Sequence, residues 1–286
     1  MILESLPEDP AQIVTTLGSE WSGEPFVVDG EHVHRYGVAT HYPVEVLRSR
    51  DTAPPVFAAV ASMSSHSGLL KRLVPRHLLP STVHLAQAMQ FHYPICVGDT
   101  ISSRAKLVEI RSGSFGCAAT IYVEVRHKTR LLAEADHRVL VRGAQPRHSA
   151  GVPSFAPPPL RRGDRVAVGQ ALFDIAPDQS IRYSEASGDY LAIHTDPEIA
   201  RQAGFSGLVL HGLCTLALCA RAAVEFGAEG DDQRLAALSA TFTRPVYCGA
   251  QLNVGVENVG DGDTFRISAR QDGRPVVRDA WAAMRT

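Results

Sequence analysis

Residues 183–212 have the sequence YSEASGDYLAIHTDPEIARQAGFSGLVLHG, the stretch that decides how the chain folds. Within it, Asp189 and His194 stand five residues apart, just before a long apolar segment. Five residues advance a helix by about 500°, so two side chains at this spacing on one helix point apart. Gly188 favours a break in the backbone directly before the acid. We therefore expect both side chains on a turn, where they can approach each other.

The residues after His194 predict the start of a helix. Thr195 or Asp196 can serve as the N-cap, and Pro197 suits the first turn. Asp189 and His194 then lie on a loop between two short helices, where an acid beside an imidazole can move protons to and from a water molecule. The alternative is that Asp189 only caps a helix and that His194 is a structural histidine. The spacing alone does not decide between them.

The apolar segment from Leu208 to Phe226 has the pattern of a helix that is buried on all sides or that spans a membrane. His211, Arg221 and Glu225 interrupt it, and each of them is costly in lipid. We therefore predict a helix buried in the core. Because Arg221 and Glu225 stand four residues apart, they can form an ion pair on one face of that helix.

The composition is that of an ordinary globular protein. With 286 residues, 45% of them hydrophobic, the chain is long enough for two domains, and a net charge of −2 gives no attraction to nucleic acid. The N-terminal sequence MILESLPEDP carries acids where a signal peptide has positive charge, so we expect a cytoplasmic protein with no membrane span. The five cysteines form no C-x-x-C pair, which indicates reduced thiols. His32, His34 and His41 lack companion ligands, so neither a metal nor another cofactor is expected.

A proline-rich stretch divides the chain into two parts. Residues 143–163, GAQPRHSAGVPSFAPPPLRRG, contain five prolines, too many for a helix or a central strand. We predict that this stretch links an N-terminal domain, residues 1–142, to a C-terminal domain, residues 164–286.

An internal repeat relates the two parts. The sequence FHYPICVG at residues 91–98 matches FTRPVYCG at residues 242–249. A fainter match aligns YGVAT at residues 36–40 with YSEAS at residues 183–187. A repeat over so long a distance indicates duplication of a whole domain.

Each half contains a helical region followed by segments of alternating polarity, which predict strands. The predicted strands are residues 83–92, 100–110, 117–125 and 131–141 in the first half and 235–243, 251–259, 264–270 and 276–283 in the second. One long helix beside strands joined mostly by hairpins predicts an α+β fold, in which an antiparallel sheet wraps the helix.

Residues 183–212 resemble the hydratase 2 signature of the MaoC-like dehydratases, the (R)-specific enoyl-CoA hydratases, and FTRPVYCG resembles the strand entry that follows in that family. The C-terminal half resembles the family nearly throughout, and the N-terminal half resembles the degenerate first domain of its two-domain members. The resemblance implies a double hotdog fold, with a long central helix in each half. It also implies reversible hydration of a trans-2-enoyl thioester of CoA or acyl carrier protein to the (R)-3-hydroxyacyl thioester.

Carried over to this sequence, the resemblance assigns the catalytic pair to Asp189 and His194. It also implies that the backbone N–H of Gly212 binds the thioester carbonyl. This role suits a residue at a helix N-terminus, because the free amides there stabilise a negatively charged oxygen. The positions next to these, Ser187, Gly188 and His211, become candidates for substrate binding, although for His211 we favour a structural or supporting role. Close helix packing is the alternative role for Gly212. Arg244 is our candidate for binding the phosphates of CoA. The alternative is that it is a solvated arginine at the end of a strand.

The loop between the catalytic candidates departs from the family pattern. Members carry Asn-Pro where this chain has Leu191 and Ala192. The change removes a polar group and a rigid turn. Because the spacing and both catalytic residue types remain, we expect activity with an altered substrate preference.

At the positions aligned with Asp189 and His194, the first half has neither an acid nor a histidine. The alignment of Tyr36 with Tyr183 places Tyr42 opposite Asp189 and Leu47 opposite His194, which predicts a domain that has lost its site and accommodates the acyl chain; a second alignment keeps His41 as a relic. An acyl thioesterase on the same fold and a non-catalytic subunit that binds acyl thioesters remain as alternative functions. A monomer with an internal pseudo-dimer or a homodimer is the expected assembly.

Overall fold

The computed structural model describes residues 17–144, 149–155, 165–260 and 262–286. The helices are α1 (Gly30–Ala39), α2 (Val44–Arg48), α3 (Ala58–Ala61), α4 (Met63–Leu73), α5 (Gln179–Ser187), α6 (Pro197–Gln202) and α7 (Gly212–Gly227). The strands are β1 (Glu20–Ser22), β2 (Phe26–Val27), β3 (Thr82–Phe91), β4 (Thr100–Gly113), β5 (Gly116–His127), β6 (Arg130–Arg142), β7 (Ala150–Gly151), β8 (Val166–Asp174), β9 (Leu235–Phe242), β10 (Gln251–Asn258), β11 (Thr264–Gln271), β12 (Arg274–Pro275) and β13 (Val277–Met284). All eight predicted strands are confirmed to within a few residues; β8 and the short edge strands were not predicted.

The strands form one continuous antiparallel sheet in the order β1-β4-β5-β6-β3-β9-β13-β11-β10-β8. Alternation along β4 shows why such segments become strands: Ile101, Ala105 and Leu107 are buried, whereas Arg104 and Lys106 are exposed. The two halves of the chain meet where β3 pairs with β9. Each half therefore supplies one side of a shared sheet.

The long apolar segment forms α7, as predicted, and α7 packs against strands β8 to β11 of the second half. The predicted ion pair between Arg221 and Glu225 is wrong. The Arg221 guanidinium instead donates to the carbonyl of His41 and lies over the Phe173 ring at 5.5 Å. His41 lies two residues beyond the end of α1, and Arg221 satisfies its backbone carbonyl. Within the described residues, no helix is both long and apolar enough to cross a membrane.

The internal repeat is visible as a pseudo-twofold axis. The alignment that superposes Phe91 on Phe242 also superposes Ala88 on Ser239, and these two residues are direct partners in the β3–β9 pair. Beside this pair, α1 packs against α5, and the rings of Tyr36 and Tyr183 lie 5.9 Å apart. Residues that correspond in the repeat therefore meet across the axis.

The two halves differ in their central helix. The helical path of the first half is divided, with α3 ending at Ala61 and α4 beginning at Met63, whereas α7 is continuous. Of the predicted linker, residues 145–148 and 156–163 lie outside the described residues, as does the N-terminal MILESLPEDP. Residues 143–144 and 149–155 of the linker are described, and Ala150–Gly151 form β7, which pairs with β4.

Candidate active site

The end of α5 places Asp189 in a turn, as predicted. Gly188 has φ 76°, a left-handed conformation that ends the helix and that glycine adopts without strain. The Ser187 hydroxyl accepts the backbone N–H of Asp189 at 3.2 Å, and the Asp189 carboxylate accepts the N–H of Leu191 at 3.3 Å. The half-buried carboxylate is thus held by the turn and retains free lone pairs.

His194 ends a short 3₁₀ turn, Ala192–His194, and its side chain is only 8% exposed. Its Nδ1 lies 2.6 Å from the carbonyl oxygen of Val209. Because a carbonyl only accepts hydrogen bonds, Nδ1 carries the hydrogen and Nε2 is left as a bare acceptor. Burial lowers the pKa of His194 below its ordinary value. The ring is therefore a neutral base with one free nitrogen.

His211 supports both candidates. Its ring stacks on that of His194 with 3.7 Å between the centroids, and its Nε2 donates to the backbone carbonyl of Asp189 at 3.0 Å. Burial and the neighbouring His194 lower the pKa of His211, so this ring is also neutral. Its sequence position, directly before a buried helix, gave no sign that it would fix the acid and the base at once.

The three side chains form one cluster. One ligand atom each of Asp189, His194 and His211 lies within 4.8 Å of the others. Backbone carbonyls occupy Nδ1 of His194 and Nε2 of His211, which leaves Nε2 of His194 and Nδ1 of His211 without a partner among the described residues. These two nitrogens and the Asp189 carboxylate are the atoms that could hold a divalent cation. The bare Nε2 of His194, in the same cluster as a carboxylate, is suited to proton transfer.

The N-terminus of α7 adds hydrogen-bond donors to the cluster. His211 is the N-cap and Gly212 is the first helical residue. Among the described residues, no acceptor takes the backbone N–H of Gly212, as expected for the first turn of a helix. A side chain at Gly212 would come within 3.2 Å of the Phe242 ring. The free amide and the close ring together shape a site for a negative oxygen atom.

The departure at Leu191 and Ala192 leaves the turn intact. Leu191 has φ −59° and ψ 127°, angles that a residue before proline adopts. Backbone N–H groups of His194 and Thr195 bond back to Leu191 and Ala192 at 2.9 and 3.1 Å. Asp196 then caps α6, with Pro197 in its first turn, as predicted. The turn therefore forms without the proline.

Arg244 makes no described hydrogen bond to this cluster. Its side chain is exposed and donates to the carbonyl of Pro275 at 3.0 Å. It makes no ion pair within the described part of the chain. Its part in binding CoA phosphates stays a prediction.

The corresponding region of the first half has lost the same groups. Ala53 N–H bonds to Ile95 O just as Leu210 N–H bonds to Val246 O, so Pro54 and Pro55 correspond to His211 and Gly212. Proline has no N–H, and the first half therefore has no donor at this position.

The relic turn keeps the shape of the active one without its chemistry. His41 has φ 60° and matches Gly188 in the left-handed conformation, which supports the alignment that places Tyr42 opposite Asp189. A buried ion pair fills the space beside Tyr42: Arg50 Nη1 and Nη2 each lie 2.7 Å from Asp232 carboxylate oxygens. A small cavity of about 40 Å³ lined by Pro54, Pro55, Phe91, Ile95 and Leu235 remains.

We expect the Asp232→Ala variant to be destabilised by about 3–5 kcal/mol, because it leaves the Arg50 guanidinium buried without its partner. Chemical denaturation with tryptophan fluorescence measures the change. The matched control is Glu31→Ala, which breaks the exposed pair between Glu31 and Arg35 and should change the free energy of unfolding by less than about 1 kcal/mol. Equal changes in the free energy of unfolding for the two variants would show that the Arg50–Asp232 pair stabilises the protein no more than an exposed ion pair does.

Two family models match the chain. Residues 161–278 match the MaoC like domain, and residues 15–140 match the FAS1-like dehydratase domain region. The first match contains the candidate site, and the second covers the first half of the chain, which we call the relic half.

Curated relatives share the same region. Peroxisomal multifunctional enzyme type 2 of Drosophila melanogaster is 26% identical over 80% of this chain and 40% of its own length. Probable enoyl-CoA hydratase 2 of Dictyostelium discoideum is 32% identical over 37% of this chain and 36% of its own length. The chain therefore spans less than half of either relative.

A solved structure matches nearly the whole chain. The MaoC-like dehydratase from Phytophthora capsici has a TM-score of 0.79 and 19% identity, covering 96% of this chain and 97% of its own. This similarity confirms the predicted α+β double hotdog fold.

Proposed function

We propose that this chain, which belongs to the MaoC-like dehydratase family, catalyses the reversible hydration of trans-2-enoyl thioesters to (R)-3-hydroxyacyl thioesters. One observation carries the proposal: a neutral His194 with a bare Nε2 lies in one cluster with Asp189 and His211, and the free amide of Gly212 follows His211 at the start of α7. The same relatives' names support an enoyl-CoA hydratase.

In the hydration direction, Asp189 and His194 hold a water molecule over C3 of the substrate. As the water oxygen bonds to C3, the pair accepts one of its protons and returns a proton to C2, so that one water is added across the double bond. Negative charge that builds on the thioester oxygen is stabilised by the N–H of Gly212. Dehydration follows the same path in reverse. His211 positions the pair through its stack on His194 and its bond to the Asp189 carbonyl.

The acyl group of the substrate is proposed to be carried by CoA or by acyl carrier protein, and Arg244 is proposed to bind the phosphates of the carrier. The two halves already pair through β3 and β9, so one chain supplies a complete site as a monomer or within a homodimer. We keep the cytoplasm as the proposed location, although the Drosophila relative is named peroxisomal.

A panel of trans-2-enoyl-CoAs of increasing length tests the function. Loss of the enoyl absorbance without release of free thiol, together with an (R)-3-hydroxyacyl product, is the expected result. Release of thiol would instead identify a thioesterase. An (S) product would contradict the proposed geometry, and no turnover of any chain length would favour a non-catalytic binding subunit.

We expect the activity to persist at acidic pH. Because burial lowers the pKa of His194, its neutral form survives below the ordinary histidine range, and kcat/KM should fall only when the pH drops through that lowered pKa. The profile of kcat/KM against pH for crotonyl-CoA measures the position of the acid limb. An acid limb above the ordinary pKa of histidine would contradict a neutral buried base.

A further inference from the structure

A second group of polar side chains lies in the core of the first half, beside the candidate site. His66 comes from α4, His84 and Gln87 come from β3, and His137 comes from β6. The rings of His66 and His137 stack at 4.4 Å, and those of His84 and His137 lie 5.9 Å apart. We name these four residues the core polar group. The preceding mechanism gives none of them a role.

The core polar group is adjacent to the reacting atoms. The Phe242 ring, which lies against Gly212, is 5.0 Å from the His84 ring. Burial lowers the pKa of His66 and of His84 to about 4, and the Asp189 carboxylate is near enough to oppose that effect at both rings. His66 and His84 are enclosed by protein but keep part of their surface accessible. Part of the surface of each of these two half-buried residues is therefore open to a ligand.

Several polar atoms of the group have no partner within the described residues. Nε2 of His84 lies 3.1 Å from both the Gln87 side-chain oxygen and the Ala86 carbonyl, so it carries the hydrogen. The Gln87 amide nitrogen is left without an acceptor, although Gln87 is only 1% exposed. Nε2 of His66 and Nε2 of His137 are also unpartnered, and His137 is 2% exposed. Buried donors and acceptors of this kind are costly unless something binds them.

The repeat shows that the fold does not need these polar residues. The alignment through Phe91 and Phe242 places Leu235 opposite His84 and Leu238 opposite Gln87. In the sheet, Gln87 pairs with His137 while Leu238 pairs with Ala282, so Ala282 is the counterpart of His137. Leu235, Leu238 and Ala282 are all buried. The same positions around the relic site are thus filled by hydrocarbon.

We propose that the core polar group binds a neutral oxygen function, a hydroxyl or a ketone, on the acyl chain of the substrate. Neutral imidazoles and an amide offer both donors and acceptors, which suits such an oxygen. The four residues of the group include no cation, so a carboxylate in the tail would remain unpaired. A plain hydrocarbon tail would leave the polar atoms unsatisfied. The inference rests on the proposed enoyl thioester hydration and specifies the class of acyl group.

The test compares trans-2-enoyl-CoAs of equal length that have a plain tail or carry a hydroxyl or oxo group, moved along the tail in a series. For the wild-type protein, kcat/KM for the best oxygenated member should exceed that for the plain chain by at least about tenfold. The double variant His84→Leu/Gln87→Leu, which copies the relic half, should bring this ratio to about one. The matched control is His77→Leu at the exposed surface, which should keep the wild-type ratio.

Crotonyl-CoA, whose acyl chain is too short to carry a tail group, separates the two proposals. If the wild-type protein hydrates no enoyl-CoA, crotonyl-CoA included, the hydratase proposal fails. If it hydrates crotonyl-CoA but handles the plain tail as well as every oxygenated one, only the tail proposal fails. One further member of the series carries a carboxylate in the tail. If that member has the highest kcat/KM, the proposal that the group binds a neutral oxygen is overturned. Because the wild-type ratio is decisive by itself, the tail proposal stays testable even if the double variant does not fold.

Discussion

Replacing Asp189 by asparagine, or His194 by alanine, is expected to lower kcat/KM for hydration of trans-2-enoyl-CoA by about 10²- to 10⁴-fold. Asparagine keeps the size of the acid but cannot accept a proton, and alanine removes the bare Nε2 of His194. The Leu191 N–H can still bond to the asparagine oxygen, so the turn should keep its shape. Initial rates with crotonyl-CoA measure the loss, and thermal unfolding shows that each variant is folded.

The matched control for this prediction is the relic residue His41. It corresponds to Gly188 and has φ 60°, so asparagine, which tolerates the left-handed region, is the suitable replacement. The His41→Asn variant should keep the wild-type rate if each chain has a single site. If His41→Asn lowered kcat/KM as much as His194→Ala does, while Asp189→Asn stayed active, the reaction would have to take place in the first half. That result would contradict the proposed site.

Most of the fold could be predicted from local pattern, because alternation along strands such as β4 and the continuous apolar run of α7 are properties of neighbouring residues. The strand β8 was missed, since Val166–Asp174 is a partly exposed edge strand whose alternation is weak. The predicted pair of Arg221 and Glu225 failed for a related reason. Helical spacing makes that pair possible, but tertiary packing offered Arg221 the carbonyl of His41 instead.

The candidate site could be predicted only in part. Asp189, His194 and Gly212 stand in one stretch of sequence, so their spacing and the family resemblance identify them together. The tautomer of His194 depends on the carbonyl of Val209, which only the folded chain brings to it. His211 acts through stacking, a relation that spacing does not encode.

The core polar group could not be predicted from spacing, because its members come from three separate elements. One signal was nevertheless available in the sequence. The alignment of Phe91 with Phe242, continued toward the N-terminus, sets His84 against Leu235 and Gln87 against Leu238. A polar residue opposite a leucine in a duplicated core is a place where the two copies have taken different roles. The structure adds that the Phe242 ring lies between the polar copy and Gly212.

The Gly212→Pro variant is expected to lower kcat by about 10²- to 10³-fold, because it removes the single N–H that is proposed to stabilise the thioester oxygen. Proline is well tolerated as the first residue of a helix. The preceding His211 has φ −60° and ψ 141°, which a residue before proline adopts readily. The protein already contains the same arrangement in its relic half, where Pro54 has φ −54° and ψ 142° before Pro55. The helix should therefore form, and single-turnover rates with crotonyl-CoA measure the chemical step.

The Gly212→Ala variant separates the lost amide from added bulk. Alanine keeps the N–H but places a methyl group about 3.2 Å from the Phe242 ring, a tight contact that the ring must relieve. If the amide is what matters, alanine should keep kcat within about tenfold of wild type while proline loses far more. An equal loss in both variants would mean that packing against Phe242, rather than the N–H, controls the rate. In that case the oxyanion would need another donor, and the absence of an amide at Pro55 would no longer support the proposal that the first half has no site of its own.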